Sequence, residues 1–192
     1  MVNVVLLGLF SYLLGSVPTL ALVGMQKRRQ SFVRRSPFIH AVGMKRGLKI
    51  AGIDFGKGFV ATVLGLIAAG WGGACFAALT VNVGAAFPVF NGFRGMRSVG
   101  VAAGSLLVLS PLLLLVGLGT FILVLFLTQY LSLSAILSTV IVLILAVIYP
   151  PSWLALLVIV LLGASVLFLY RDSFSRLMKG REPIFPIRRL IR

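Results

Sequence analysis

Residues 152–170 read SWLALLVIVLLGASVLFLY and contain no charged side chain. An α-helix needs about 20 mostly apolar residues to cross the hydrocarbon core of a bilayer. A membrane β-barrel would instead show short stretches of alternating polarity, and the segment from Leu154 to Leu169 does not alternate. This segment therefore predicts a transmembrane helix.

Similar apolar runs recur along the whole chain, which is 60% hydrophobic and only 11% charged. A soluble domain carries about 25% charged residues. Pro111 divides one overlong run, and Pro150 and Pro151 separate the last two. The sequence predicts an all-α integral membrane protein, a single domain over residues 1–192 that forms a bundle of seven transmembrane helices, at about 3–24, 50–69, 71–88, 99–110, 112–130, 132–149 and 152–170.

The positive charges predict the orientation of this bundle. The chain has 18 basic and 3 acidic residues, a net charge of +15. With seven spans, the loop after the first span, the loop after the third and the basic tail at 171–192 lie on one side. Cytoplasmic segments carry the lysine and arginine excess, so the C-terminus is predicted to be cytoplasmic and the N-terminus outside. Because the basic residues follow the first span and do not precede it, we expect a retained helix and not a secretory signal.

The same charge indicates the kind of partner. A basic soluble protein would point to nucleic acid, but here the basic residues flank apolar segments and no soluble domain is left over. Anionic lipids and phosphate-bearing substrates are therefore expected, and nucleic acid is not. The single cysteine, Cys75, lies inside an apolar segment, which excludes an internal disulfide or a cysteine metal site. No metal or cofactor is expected.

Small residues cluster at several points of the predicted spans, for example at Gly70, Gly84, Gly100 and Gly104. In lipid, small side chains let helix backbones approach closely. We interpret most of these residues as helix-packing positions.

Two ionisable residues, Asp54 and Lys57, interrupt the second predicted span. Such residues are costly within a bilayer and normally face the protein interior or a partner. Their spacing of three places them on one helix face, where they can pair. They either form a site near the cytoplasmic end of the span or make a salt bridge that orients the helix. The surrounding glycines do not form a nucleotide-binding P-loop, because their spacing is wrong and the Ser or Thr is missing.

The segment 88–98, PVFNGFRGMRS, is called the arginine loop below. It places Arg94 and Arg97 among glycines between two predicted spans on the cytoplasmic side. Guanidinium groups bind phosphate through two hydrogen bonds, and glycine allows the backbone to come close to a ligand. The loop suits a phosphorylated substrate, although two arginines would also simply hold the loop inside. The loop between the first two predicted spans, residues 25–49, is called the first basic loop below. His40, the only histidine of the chain, lies in it and is expected to be solvated or to face phosphate.

Four short motifs occur in an order and spacing that resemble the bacterial acyl-phosphate:glycerol-3-phosphate acyltransferases, the PlsY family. They are SYLLGSVP at 11–18, DFGKG at 54–58, FPVFNGFRG at 87–95 and RLMKGRE at 176–182. The resemblance implies transfer of an acyl group from acyl phosphate to the 1-hydroxyl of glycerol 3-phosphate, without a metal, in the bacterial inner membrane. The products are lysophosphatidate and phosphate. The family-motif positions that it assigns are Ser16, Asp54, Lys57, Pro88, Gly92, Gly95 and Arg176.

The first basic loop departs from the family pattern. Gln30 replaces a serine, Phe32 and Pro37 replace asparagines, and His40 replaces an arginine. Ala85 stands where the family has a histidine. The backbone N–H groups of a glycine-rich loop, which suit phosphate, are lost with these changes.

Further departures follow near the C-terminus, where Tyr170 and Ser173 replace a histidine and an asparagine, so no catalytic residue is intact by the family pattern. Two hypotheses remain. The chain is either a working acyltransferase with a remodelled site, which is the favoured function, or a catalytically lapsed paralogue that binds lipid or a protein partner.

Overall fold

The computed structural model describes residues 2–19, 23, 44–89 and 99–178. The secondary-structure elements within these ranges are all α-helices, in agreement with the predicted all-α class. In chain order they are α1 (Val2–Ser16), α2 (Met44–Ala86), α3 (Val99–Leu109), α4 (Pro111–Thr128), α5 (Leu131–Ile148) and α6 (Trp153–Met178).

Helix α2 is a hairpin of two arms. As a straight helix its 43 residues would span about 65 Å, roughly twice the hydrocarbon thickness. The backbone leaves helical geometry at Ala69 and at Gly70, where φ is 63°, a conformation that glycine adopts without steric cost. Past the break, Gly73 lies directly against Gly65, since a Cβ atom at Gly65 would be 2.5 Å from the Gly73 carbonyl oxygen. The N-terminal arm (44–68) and the C-terminal arm (71–86) are therefore antiparallel.

Helix α1 packs parallel to the C-terminal arm of α2. Near its start, Gly8 lies under the ring of Phe76, and near its end, Gly15 lies against the backbone of Ala85. A Cβ atom at Gly15 would be 3.1 Å from the Ala85 nitrogen. The residue numbers at the two contacts increase in both helices, from Gly8 to Gly15 and from Phe76 to Ala85, so the helices run in the same direction. Glycine allows their backbones to touch.

Helix α3 packs parallel to the N-terminal arm by the same means. A Cβ atom at Gly100 would lie 3.2 Å from the Ala51 carbonyl oxygen, and one at Gly104 would lie 2.8 Å from the Phe59 nitrogen. The prediction that these two glycines are packing positions is confirmed. Gly70, by contrast, has no neighbour within 4 Å and serves the turn.

The largest core cluster joins the C-terminal arm to the later helices. Cys75 is buried there as a packing residue, together with Ala78. Their partners are side chains of α3 to α6, namely Leu109, Leu113, Val142, Ala146, Ala155, Val158, Ile159 and Leu162. Outside this core, large apolar side chains are exposed along the helices: Ile67 is 76% and Leu127 is 71% exposed. An exposed apolar surface of this extent suits contact with lipid.

Within the described residues, four helices are long and apolar enough to cross a membrane, namely α2, α4, α5 and α6, whereas α1 and α3 are shorter. Helix α1 ends at Ser16, well before the predicted end of the first span at residue 24. The cause is Pro18, which lacks an N–H donor and clashes with the preceding turn. Helical hydrogen bonding resumes beyond it, where the Val23 N–H donates to the Thr19 carbonyl across 3.1 Å. Within the described ranges the structure has six helices, one of them a hairpin, and the seven-span topology stays a prediction.

Candidate functional site

Asp54 and Lys57 form an ion pair one turn apart in the N-terminal arm of α2. The Lys57 Nζ atom lies 3.5 Å from Asp54 Oδ1, and the two side chains are only 9% and 14% exposed. Their contact agrees with the pairing expected from their spacing. Burial of two charges is favourable only if further hydrogen bonds satisfy them, so the surrounding groups decide what the pair does.

Those groups come from the segment just beyond α1. The Lys57 ammonium donates to the Val17 carbonyl oxygen across 2.7 Å and to Thr19 Oγ1, and Thr19 Oγ1 donates to Asp54 Oδ1. Thr19 is itself 5% exposed. We call Thr19, Asp54, Lys57 and the Val17 carbonyl the Lys57 cluster. A cation beside the last carbonyls of a helix is also stabilised by the helix dipole.

The Lys57 cluster lies between the end of α1 and the start of α3. Val17 and Thr19 are where the chain leaves α1 toward the first basic loop. On its other side, Asp54 packs against Gly100, the second residue of α3 after the arginine loop, since a Cβ atom at Gly100 would lie 2.9 Å from Asp54 Cβ. The cluster therefore connects the segment that follows α1 to the first turn of α3.

Pro88, a predicted family-motif position, directly follows the C-terminal arm and is buried. Its neighbours Phe87 and Val89 are each 49% exposed. The buried proline thus fixes the direction in which the chain leaves the arm toward the arginine loop.

Deeper in the bundle lies a second polar contact. Asn82 of the C-terminal arm is 2% exposed and donates from Nδ2 to the Ala78 carbonyl across 2.8 Å and to Ser105 Oγ of α3 across 3.3 Å. In the part of the chain that the structure describes, its Oδ1 atom has no hydrogen-bond partner, and neither have the hydroxyls of Ser11 and Ser16, which are fully buried in α1. Ser16 is a predicted family-motif position, and the structure places it in the core.

Several predicted site residues lie outside the described residues: His40, Gly92, Arg94, Gly95 and Arg97. Arg176 lies in the last turns of α6, and its side chain is likewise not described. The phosphate-binding roles predicted for His40, Arg94 and Arg97 therefore stay predictions, as do the motif positions Gly92, Gly95 and Arg176.

Two positions at which the family pattern has histidine are occupied by packing residues. Ala85 lies against the apolar cluster of Ala61, Val81 and Val101. Tyr170 is 4% exposed and packs in an apolar cluster of α3 to α6. In the described ranges, no three His, Cys, Asp or Glu side chains lie close enough together to hold a metal ion.

Sequence reasoning missed Thr19 and Asn82. Both are single polar residues whose partners lie far along the chain, Asp54 for Thr19 and Ser105 for Asn82. The available signal for Thr19 was its place directly after Pro18, inside an apolar run. Asn82 offered only its polarity within a predicted span, where interhelical hydrogen bonds are a known use of such residues.

Comparison with known proteins identifies the relatives of the chain. Residues 5–180 match the family model described as glycerol-3-phosphate acyltransferase. The glycerol-3-phosphate acyltransferase of Streptococcus equi subsp. equi is 30% identical, with 96% of this chain and 93% of that protein covered. The one from Synechococcus elongatus is 31% identical, with 95% of each covered. A crystal structure of PlsY, an integral membrane glycerol 3-phosphate acyltransferase in its glycerol 3-phosphate form, superimposes with a TM-score of 0.86 at 25% identity over 98% of each chain.

Proposed function

The chain belongs to the glycerol-3-phosphate acyltransferase family, and from this we propose that it transfers an acyl group from acyl phosphate to the 1-hydroxyl of glycerol 3-phosphate. The hydroxyl oxygen forms a bond to the acyl carbonyl carbon while the bond from that carbon to the phosphate oxygen breaks. The hydroxyl proton ends on the released phosphate, and the products are lysophosphatidate and inorganic phosphate. The membrane setting of this reaction agrees with the apolar helices of the chain.

The observation that carries the proposal is the Lys57 cluster, which joins the segment that leads from α1 toward the first basic loop to the start of α3, the helix that follows the arginine loop. We infer that the two loops act together on the phosphate groups of both substrates. Arg94 and Arg97 provide paired donors, and His40 adds a further donor from the first loop. Their role is to orient the substrates and to stabilise the charge that develops on the leaving phosphate.

The Lys57 side chain is a positioning group and not a ligand for phosphate. An ammonium group has three N–H donors, and among the described residues Lys57 has three oxygen partners, on Val17, Thr19 and Asp54. Asp54 in turn accepts from Thr19 and pairs with Lys57. This arrangement favours the interpretation of the pair as a salt bridge that orients the helix, extended here to a junction that holds two loops.

The proposed topology has seven spans, an external N-terminus and a cytoplasmic C-terminus. The α2 hairpin supports it by supplying two antiparallel arms at the places of the second and third predicted spans. Parallel packing supports it too, since α1 runs with the C-terminal arm and α3 runs with the N-terminal arm. Helices that cross in alternate directions would pair in this way. All basic residues except Lys57 then fall on the cytoplasmic side or at its surface.

The proposed location is the bacterial inner membrane. With a net charge of +15, the cytoplasmic face would attract anionic lipids and concentrate phosphate-bearing substrates near the loops. The basic tail at 171–192 contributes to this positive charge.

The alternative is a lapsed paralogue that binds lipid or a protein partner without chemistry. It is favoured by the apolar packing of Ala85 and Tyr170 at positions where the family pattern has histidine. Loss of a single transition-state donor typically lowers kcat by about 100- to 1,000-fold. The two functions therefore differ sharply in measurable turnover.

The deciding experiment is acyl transfer from palmitoyl phosphate to radiolabelled glycerol 3-phosphate by the detergent-purified protein. The control is an Arg94→Ala/Arg97→Ala double variant that elutes as the same monodisperse species. We expect lysophosphatidate from the natural chain and at least a 100-fold lower rate from the double variant. No product from folded protein would overturn the proposal and favour the lapsed paralogue. Equal rates in the two proteins would remove both arginines from the site.

A further inference from the structure

The start of the arginine loop is held by a side chain from another helix. The Tyr12 hydroxyl of α1 donates a hydrogen bond to the Phe87 carbonyl oxygen across 2.9 Å. The Phe87 N–H donates to the Val83 carbonyl across 2.8 Å, so Phe87 is still bonded in the pattern of the C-terminal arm. A carbonyl at a helix end has no donor one turn further on within the helix. Tyr12 supplies that donor from outside.

The position of Tyr12 is itself fixed by backbone contact. A Cβ atom at Gly84 would lie 3.0 Å from the Tyr12 carbonyl carbon, so the two helices touch at this level. The Tyr12 backbone thus lies beside Gly84, and its phenol extends about one helical turn along the C-terminal arm to Phe87. Together with the buried Pro88, it determines where the arginine loop begins.

We infer that Tyr12 is a positioning residue for the phosphate groups of the substrates, that of glycerol 3-phosphate among them, acting through the arginine loop. This inference rests on the proposed function, because Arg94 and Arg97 are the groups that it would place. Its hydroxyl bonds to a protein carbonyl at the root of the loop, which distinguishes it from an aromatic residue that merely anchors a helix at the membrane surface.

The first test is the kinetics of Tyr12→Phe, which removes one oxygen atom and keeps the ring. The matched control is Tyr130→Phe, at the connection between α4 and α5, for whose hydroxyl the described structure gives no hydrogen bond. We expect KM for glycerol 3-phosphate to rise about three- to tenfold in Tyr12→Phe, the range for one lost hydrogen bond, with kcat within twofold. A folding defect would lower kcat at unchanged KM. An unchanged KM in active enzyme overturns the inference.

The second test does not depend on activity. Trypsin cleavage after Arg94 and Arg97 in the intact detergent-solubilised protein is followed by mass spectrometry, relative to cleavage in the basic tail. We expect the loop sites to be cut about three- to tenfold faster in Tyr12→Phe and at the natural rate in Tyr130→Phe. Unchanged loop cleavage overturns the inference whatever the kinetics show. Faster loop cleavage in a protein without transfer activity would refute the proposed function and leave Tyr12 as the residue that fixes the loop.

Discussion

Lys57 of α2 donates a hydrogen bond to the carbonyl oxygen of Val17 across 2.7 Å, although 40 residues separate them in the chain. The ammonium group thereby ties the end of α1 to the inner end of the second predicted span. It also pairs with Asp54 at 3.5 Å, so charge neutralisation and the helix junction depend on one side chain. Variants at this position separate those two contributions.

Replacement of Lys57 by methionine should destabilise the protein strongly. It keeps most of the side-chain volume but leaves Asp54 as a buried, unpaired carboxylate, which costs about 3–5 kcal/mol. The measurement is thermal unfolding of the purified protein in a fixed detergent, followed by the fluorescence of the tryptophans. The expected result is a clearly lowered melting temperature.

The control is the double variant Asp54→Asn/Lys57→Met, which removes both charges. Because replacement of a buried pair by neutral groups costs much less than breaking it, the double variant should be more stable than Lys57→Met alone. If the double variant is the less stable of the two, the unpaired carboxylate is not the cause of the loss.

The stability of the protein should depend on the hydroxyl group of Thr19 more than on its methyl group. That hydroxyl accepts from Lys57 and donates to Asp54, so Thr19→Val leaves both charged groups one partner short. A hydrogen bond to a charged group contributes about 1.5–3 kcal/mol. We expect a loss of that size for Thr19→Val in the same unfolding measurement, and a much smaller one for Thr19→Ser. Equal losses in the two variants would assign the effect to packing of the methyl group.

The position of the α2 turn could be predicted from the sequence, because its cause is local. The predicted boundary between the spans 50–69 and 71–88 falls at Gly70, where φ is 63° in the structure. The Asp54–Lys57 pair was equally local, since a spacing of three on a helix brings two side chains together. In both cases the determining residues lie within one helical turn of each other.

The partners of these elements could not be predicted in the same way. Thr19 meets Asp54 only because the segment after α1 reaches the N-terminal arm, and Asn82 meets Ser105 only because α3 also contacts the C-terminal arm. The end of α1 was also missed, since apolar composition alone did not register the break at Pro18. Tertiary packing decides each of these features, and a single sequence carries little signal for it.

The close approach of α3 to α2 should make Gly104 intolerant of a side chain. A Cβ atom there would lie 2.8 Å from the Phe59 nitrogen, and a backbone cannot yield as a flexible side chain does. We expect Gly104→Ala to cost about 1–3 kcal/mol, as overpacking usually does. Gly52→Ala is the matched control, because Gly52 is helical, exposed and has no neighbour within 4 Å. That change should be neutral or stabilise by about 0.5–1 kcal/mol.

At the opposite end of the hairpin, Ser152 should stabilise the junction between α2 and α6. Its Oγ atom accepts from the Ala155 N–H across 3.1 Å, as an N-cap of α6, and from the Trp71 indole across 3.0 Å. Loss of an N-cap costs about 0.5–2 kcal/mol, and a neutral hydrogen bond adds about 1 kcal/mol. We therefore expect Ser152→Ala to destabilise the protein by about 1–3 kcal/mol and Trp71→Phe, which removes only the indole donor, by about 1 kcal/mol.

The comparison that isolates this contact is a double-mutant cycle with a serine control. In Ser152→Ala/Trp71→Phe the indole bond is lost only once, so the double loss should fall short of the sum of the single losses by about 1 kcal/mol. Ser165→Ala is the control, since its hydroxyl donates only to the Leu162 carbonyl of its own helix, and it should change stability by less than about 0.5 kcal/mol. Strict additivity of the two changes would mean that the indole and the hydroxyl do not stabilise the junction together, and the turn of α2 would then be held by the apolar packing of its arms alone.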